Sequence, residues 1–223
     1  LPNSAIHPSR VIPPRLVDVF CICGDQKRFG ANGNCECINR TKTDHEATET
    51  DESLWYEIPS MPINRTQFAA VGYQHNLYVF GGWGPRAWYS TSVYNAIDRS
   101  WVADSRVHPQ MKAPKRNLAA SALDGFIYVC GGYDYNASVV TNSCHRYGIA
   151  QRKWFDMPPM IEARESFAMV TLDHEIYALG GRLSNGRLTD SVEVYSPRAQ
   201  MWRRTYRMME ERAQFAAVAI TNW

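Results

Sequence analysis

No uninterrupted apolar run approaches the roughly 20 residues that a membrane-crossing helix needs, and residues 1–15 lack the apolar block of a secretory leader. Charge of one sign is also scarce, because 24 Lys and Arg stand against 22 Asp and Glu for a net +2. Binding to a phosphate backbone requires clustered positive charge, so nucleic acid is not expected as a partner, and neither is a membrane. We expect a soluble, cytoplasmic chain.

Catalytic motifs are equally sparse. The sequence contains no G-x-S-x-G elbow, phosphate-binding glycine loop or paired-carboxylate motif. His7, His45, His75, His108, His145 and His174 are scattered without the H-x-x-x-H spacing of a metal site. No enzyme, cofactor or metal is therefore expected. Six cysteines in 223 residues are too few, and the chain too long, for a disulfide-stapled mini-fold, so reduced thiols are the expectation. Three sequons, at Asn39, Asn64 and Asn136, point the other way.

What is present is a core-forming composition, 45% hydrophobic and 12% aromatic. The chain starts at Leu1 where a complete protein would start at Met, and reads as a piece of a longer protein with a domain upstream.

An internal repeat organises the rest. Four segments share Met, a basic residue four later, an aromatic or Leu three after that, and then Ala: Met61/Arg65/Phe68/Ala69, Met111/Lys115/Leu118/Ala119, Met160/Arg164/Phe167/Ala168 and Met208/Arg212/Phe215/Ala216. In the first three, a Gly-Gly pair begins thirteen residues after the Phe or Leu, at Gly81, Gly131 and Gly180. Before each pair lies an apolar run too short for a helix, Leu77–Phe80, Ile127–Cys130 or Ile176–Leu179, which reads as a buried strand. His75-Asn76, Asp124-Gly125 and Asp173-His174 stand where two strands must reverse. After the glycines come a polar loop and another strand pair, with Trp154 and Trp202 seven residues after Tyr147 and Tyr195. Each unit thus counts four strands. A single four-stranded sheet leaves a face bare, so successive sheets must stack around an axis as a β-propeller.

Gly-Gly, then Tyr, then Trp, at a period of about 50 residues, resembles the kelch repeat. The fold expected is all-β: a kelch-type propeller with four recognisable blades of four antiparallel strands, as a small closed ring or as part of a six-bladed one. Repeats fall at about 16–55, 56–101, 102–154 and 155–202, with a final strand in 203–223. The first match is loose, with Cys23-Gly24 in place of Gly-Gly and an insertion over Asn39–Leu54. Arg212–Ile220 is expected to pair with Val17–Cys23 and close the ring, as the resemblance implies. Residues 1–15 are similar to the linker before the propeller in BTB-BACK-kelch proteins. That resemblance implies the substrate-recognition part of a cullin-3 ubiquitin-ligase adaptor, with an actin-binding or cytoskeleton-organising protein as the alternative.

In such adaptors the partner peptide docks on loops near the axis. By position, this implies Thr66, Gln67, Arg116, Asn117, Glu165, Ser166 and Gln214 after the basic residues, and Trp83, Tyr133 and Arg182 after the glycines. Aromatics concentrate there, with Trp88, Tyr89 and Tyr135 beside Trp83 and Tyr133, where polar turn residues would suffice. Arg86, Arg116, Arg182 and Arg187 favour an acidic peptide, whereas Glu165 does not. Cys21-x-Cys23 and Cys35-x-Cys37 form the one metal-like constellation, but their spacing is not that of a zinc knuckle and buried thiols explain them as well.

Overall fold

The computed structural model describes residues 19–23, 35–39 and 55–220, with side-chain packing from residue 58 onward. Every regular element among them is a strand. The first sheet holds β1 (Val19–Cys23), β2 (Cys35–Asn39) and β3 (Trp55–Glu57), side by side in that order. Its register sets Cys21 opposite Cys37 and Cys23 opposite Cys35 along the backbone. Their side chains, on which zinc or thiol burial would depend, lie outside the described residues.

Three four-stranded antiparallel meanders follow. One runs β4 (Ala69–Tyr73), β5 (Asn76–Phe80), β6 (Thr91–Asn95) and β7 (Ser100–Val102). The next interposes short strands, β8 (Lys115–Arg116), β9 (Ala119–Leu123), β10 (Phe126–Cys130), β11 (Tyr133–Asp134), β12 (Val139–Val140), β13 (Cys144–Gly148) and β14 (Lys153–Asp156), and its blade order is β9-β10-β13-β14. The last described blade has β15 (Arg164–Glu165), β16 (Ala168–Leu172), β17 (Glu175–Leu179), β18 (Arg182–Leu183), β19 (Val192–Ser196) and β20 (Met201–Arg204), with β16-β17-β19-β20 in the sheet. The chain is all-β and built of propeller blades, as the repeat predicts.

Local chemistry sets the turns. Between β9 and β10, Asp124 and Gly125 both take positive φ, 49° and 77°, and Asp173 and His174 do the same between β16 and β17, at 50° and 59°. Two successive positive-φ residues match the right-handed twist of the flanking strands. In the first meander the reversal is Gln74-His75, one residue earlier than expected, because Asn76 already pairs with Tyr73 in the sheet.

Aromatic wedges join blade to blade. The indole N–H of Trp101, Trp154 and Trp202 donates to the carbonyl of Pro59, Pro109 and Pro158, at 2.6, 3.0 and 3.1 Å. Each of these prolines opens the connection into the blade, so one bond satisfies the indole and anchors the linker. Phe80 of one blade packs edge-on against Trp154 of the next, and Tyr128 packs at a tilt against Tyr195, with ring centroids 5.5 and 6.0 Å apart.

In the three meanders the repeated basic residue is buried and satisfies carbonyls at the inner end of its own sheet, whereas Arg212 is exposed. Arg65 donates to Gly81 O and Ser92 Oγ, Lys115 to Ser143 O and Oγ, and Arg164 to Gly180 O, Ser191 O and Oγ. An acidic partner is present in one blade, where Arg164 pairs with Glu193 at 2.7 Å and neither side chain is exposed. The position of Glu193 is Ser92 in the first meander and His145 in the second. Lys115 therefore faces a histidine. Burial lowers the Lys115 ammonium to about 8, and burial, with Lys115 and Lys112 adding to it, lowers His145 to about 4.

Two expectations fail. Residues 205–220 contain no strand, and β1 pairs only with β2 among the described residues, so the ring-closing pairing is not made. The start of this segment does dock as its predecessors do, with Gly181 N–H on Arg212 O and Gln214 N–H on Ser166 O. What it lacks is a described hairpin partner, the role that β5, β10 and β17 play for β4, β9 and β16. Val218 and Ile220 are left 81% exposed. Reduced thiols fail for one pair: Cys130 and Cys144 form a disulfide, because the register of β10 and β13 sets them directly opposite with Cα atoms 4.2 Å apart.

Candidate functional site

At the inner end of each meander, and again at the start of the last segment, the chain leaves the basic residue through one left-handed residue. These are Gln67, Asn117, Ser166 and Gln214, with φ of 55°, 52°, 54° and 56°. The N–H of Asn117 donates to Gln67 O, that of Ser166 to Asn117 O and that of Gln214 to Ser166 O, each at 2.8 Å. These four expected binding residues are thus a backbone ladder from blade to blade. Their unusual φ serves that ladder, while the side chains of Gln67 and Gln214 remain exposed.

The other expected residues come together in pairs, one pair per blade. Thr66 and Trp83 exchange backbone hydrogen bonds at 2.9 and 2.7 Å. Arg116 pairs with Tyr133 across β8 and β11, and Glu165 with Arg182 across β15 and β18. The glycines make these pairings possible: a Cβ on Gly82 would lie 2.6 Å from Thr66 O, and one on Gly132 would lie 2.5 Å from Arg116 O. All ten residues therefore share one end of the blades. Asn117 also bridges to its neighbour, donating from Nδ2 to Glu165 Oε2 at 2.9 Å.

The chemistry is unevenly spread over this end. Trp83, Trp88 and Tyr135 stack in a group with centroids 5.0–6.2 Å apart, and Tyr133 meets Tyr135 edge-on at 5.6 Å. The Arg116 guanidinium lies over Tyr133, Tyr135 and Trp83, with Cζ 4.8, 5.5 and 5.7 Å from the centroids. Such contacts contribute about 0.5–2 kcal/mol each, depending on exposure. Trp83 remains 49% exposed and Trp88 38%. The result is a preorganised aromatic platform with its own cation, open to solvent on one side.

Two loops are locked to build it. Tyr89 Oη donates to Asn136 Oδ1 at 3.2 Å, Lys115 N–H to Trp88 O and Tyr135 N–H to Pro114 O. Sequence reasoning singled out the aromatics but set Arg116 aside for an acidic ligand, and here the structure differs. Arg116 is engaged by ring faces, which leaves Arg86 and Arg187 as exposed cations of the group. Arg182 is exposed as well, with Nη1 on the carbonyl of Gly186 in its own loop. The use of Arg116 depends on a neighbouring strand, and no spacing in its own segment signals it.

Among the described residues no group of three or more His, Cys, Asp and Glu could hold a metal ion, and no helix is long and apolar enough to cross a membrane. Comparison with known proteins agrees with the architecture. The family model described as Kelch motif matches residues 114–161 and 163–208. Human Kelch-like protein 33 is 43% identical over 98 residues, which covers 43% of this chain and 18% of that protein. Kelch repeat and BTB domain-containing protein 1 of cowpox virus is 29% identical over 143 residues, 63% of this chain and 25% of that protein. This chain spans a quarter or less of the length of these two relatives. The solved structure titled "Structure of YjhT" superposes with a TM-score of 0.66 at 15% identity, over 81% of this chain and 61% of that one, a likeness of fold.

Proposed function

From the premise that this chain carries kelch repeats folded as propeller blades, we propose that it is a protein-binding module whose contact surface is the loop end bearing Trp83, Trp88, Arg116, Tyr133 and Tyr135. One observation carries the reading: two tryptophans stand 49% and 38% exposed on a rigid, hydrogen-bonded frame. Exposed aromatic surface of this kind costs solvation in a free protein, and Trp, Tyr and Arg are the residues that dominate binding energy at interfaces. The platform already contains its own cation, which disfavours a cationic guest. We assign it a peptide with an apolar or aromatic anchor for Trp83 and Trp88, flanked by carboxylates for Arg86 and Arg187.

Selection of a displayed peptide library on the purified chain tests this. Enriched peptides are expected to lose at least about tenfold in affinity against Trp83→Ala, with the folded signature of the variant unchanged. Binders indifferent to Trp83→Ala and Trp88→Ala alike would remove the face from consideration, and equal binding of their carboxylate-to-alanine versions would remove the acidic preference.

We further propose that this protein has a substrate-recognition role in a cullin-3 ubiquitin ligase. The support is the likeness to a viral protein whose name pairs kelch repeats with a BTB domain. Co-precipitation of cullin-3 with the full-length protein is the expected result; its absence, together with co-sedimentation of the protein with actin filaments, favours the cytoskeletal reading.

A further inference from the structure

Cys130 ends β10 and Cys144 begins β13, and both are buried, at 0% and 2% exposure. Their bond closes a loop over residues 131–143, which carries β11, β12, Tyr133, Tyr135 and Asn136. That loop is half of the aromatic platform. At its neck Gly131 N–H donates to Ser143 O, and the buried Lys115 holds the same carbonyl together with Ser143 Oγ. The sibling blades have the same neck without the cross-link: Phe80 stands opposite Thr91, and Leu179 opposite Val192. A cystine is therefore no requirement of the blade, and it sits in the one of the three meanders whose loop carries Tyr133 and Tyr135.

We propose that Cys130–Cys144 is a redox latch on the binding face. This inference rests on the reading of that face as a partner site and adds its regulation. In the oxidised state both ends of the loop are pinned, which restricts the conformations open to it and holds Tyr133 and Tyr135 against Arg116 and Trp83. Reduction by a dithiol proceeds by attack of its thiolate on one sulfur, giving a mixed disulfide. The second thiol of the reductant then displaces the protein sulfur. Two electrons pass to the cystine, two protons end on Cys130 and Cys144, and the reductant leaves as its own disulfide. Burial of both sulfurs makes local opening of the blade a condition of either reaction, so the latch changes state slowly. Cystines in reducing compartments serve as such sensors more often than as staples.

Hydrogen exchange on the whole chain tests the latch without any ligand. Amides within 131–143 are expected to exchange at least about tenfold faster after dithiothreitol than before it, while the uncross-linked equivalent loop over 180–191 keeps its rate. The Cys130→Ser/Cys144→Ser variant should reproduce the reduced pattern, which separates this pair from Cys21, Cys23, Cys35 and Cys37. Equal exchange of 131–143 in oxidised and reduced protein would overturn the proposal. So would complete alkylation of Cys130 and Cys144 in denatured, unreduced protein prepared under air. Loss of the peptide selection described above, with the exchange difference intact, would remove the face reading and leave the loop constraint standing.

Discussion

Replacing Glu193 with Ala probes the most deeply buried charge network in the described residues. Arg164 and Glu193 are both fully buried, 2.7 Å apart, and Glu193 also accepts the N–H groups of Ile161 and Glu162 at 2.6 and 2.9 Å. Removing one member of a buried ion pair costs about 3–5 kcal/mol, because the remaining charge loses its compensation. Arg164 retains Gly180 O, Ser191 O and Oγ and the Glu162 carboxylate, which places the loss near the lower end of that range. Ile161 is 47% exposed, so water can replace the acceptor its N–H loses. The expected total is about 3 kcal/mol, which at a urea dependence of about 2 kcal/mol/M lowers the unfolding midpoint by about 1.5 M. Far-UV circular dichroism against urea measures it. Glu193→Ser restores the arrangement of Arg65 with Ser92 and should recover part of the loss, whereas removing Arg203 from its exposed pair with Glu175 should cost under about 1 kcal/mol. A midpoint shift for Glu193→Ala no larger than that of the Arg203 control would refute the large cost assigned to breaking the buried pair.

Three further outcomes are expected. His145 titrates near 4 in the folded chain against about 6.5 unfolded, so between these values the unfolded state binds the extra proton and stability falls as the solution is acidified. After a discount for partial solvent exposure this amounts to about 1–2 kcal/mol, seen as a difference between wild type and His145→Ser in urea midpoints at pH 7 and pH 4 that vanishes if His145 plays no part. Gly131→Ala should destabilise by about 3 kcal/mol or more, since its Cβ would meet Arg164 O and the Phe167 ring at 2.5 Å; Gly125→Ala, with nothing within 4 Å, should cost only the left-handed backbone, about 1–2 kcal/mol. Equal costs for the two would show that blade-to-blade contact at Gly131 is unimportant. Arg116→Leu should raise the acrylamide quenching of tryptophan fluorescence, as the platform loses the cation its rings enclose, while a glycine-for-arginine change at the exposed Arg86 should leave it unaltered.

The blades were legible because the repeat is written in residues with local consequences. Gly-Gly marks where backbones touch, Tyr and Trp mark the wedge, and a short apolar run can only be a buried strand. The end that carries the candidate site was legible too, since its varying positions fall at fixed offsets from that frame. The fate of particular side chains was not. Asn117 and Ser166 read as surface contacts, yet their left-handed backbone serves a ladder between blades. Arg116 read as a cation waiting for an acid, and it lies instead against three rings drawn from two loops.

Pattern in the chain by itself determined the strands, their meander order, the glycine-dependent close approaches and the end at which the variable residues gather, because each follows from contacts a few residues apart or from a repeat. Tertiary structure alone decided which cation met Ser, His or Glu, that Cys130 would face Cys144, that Arg116 would be enclosed by aromatics, and that Arg212–Ile220 would not close onto β1. Each of these depends on which side chain a neighbouring strand presents at one register position. That is a matter of assembly in three dimensions, to which periodicity in the sequence is blind.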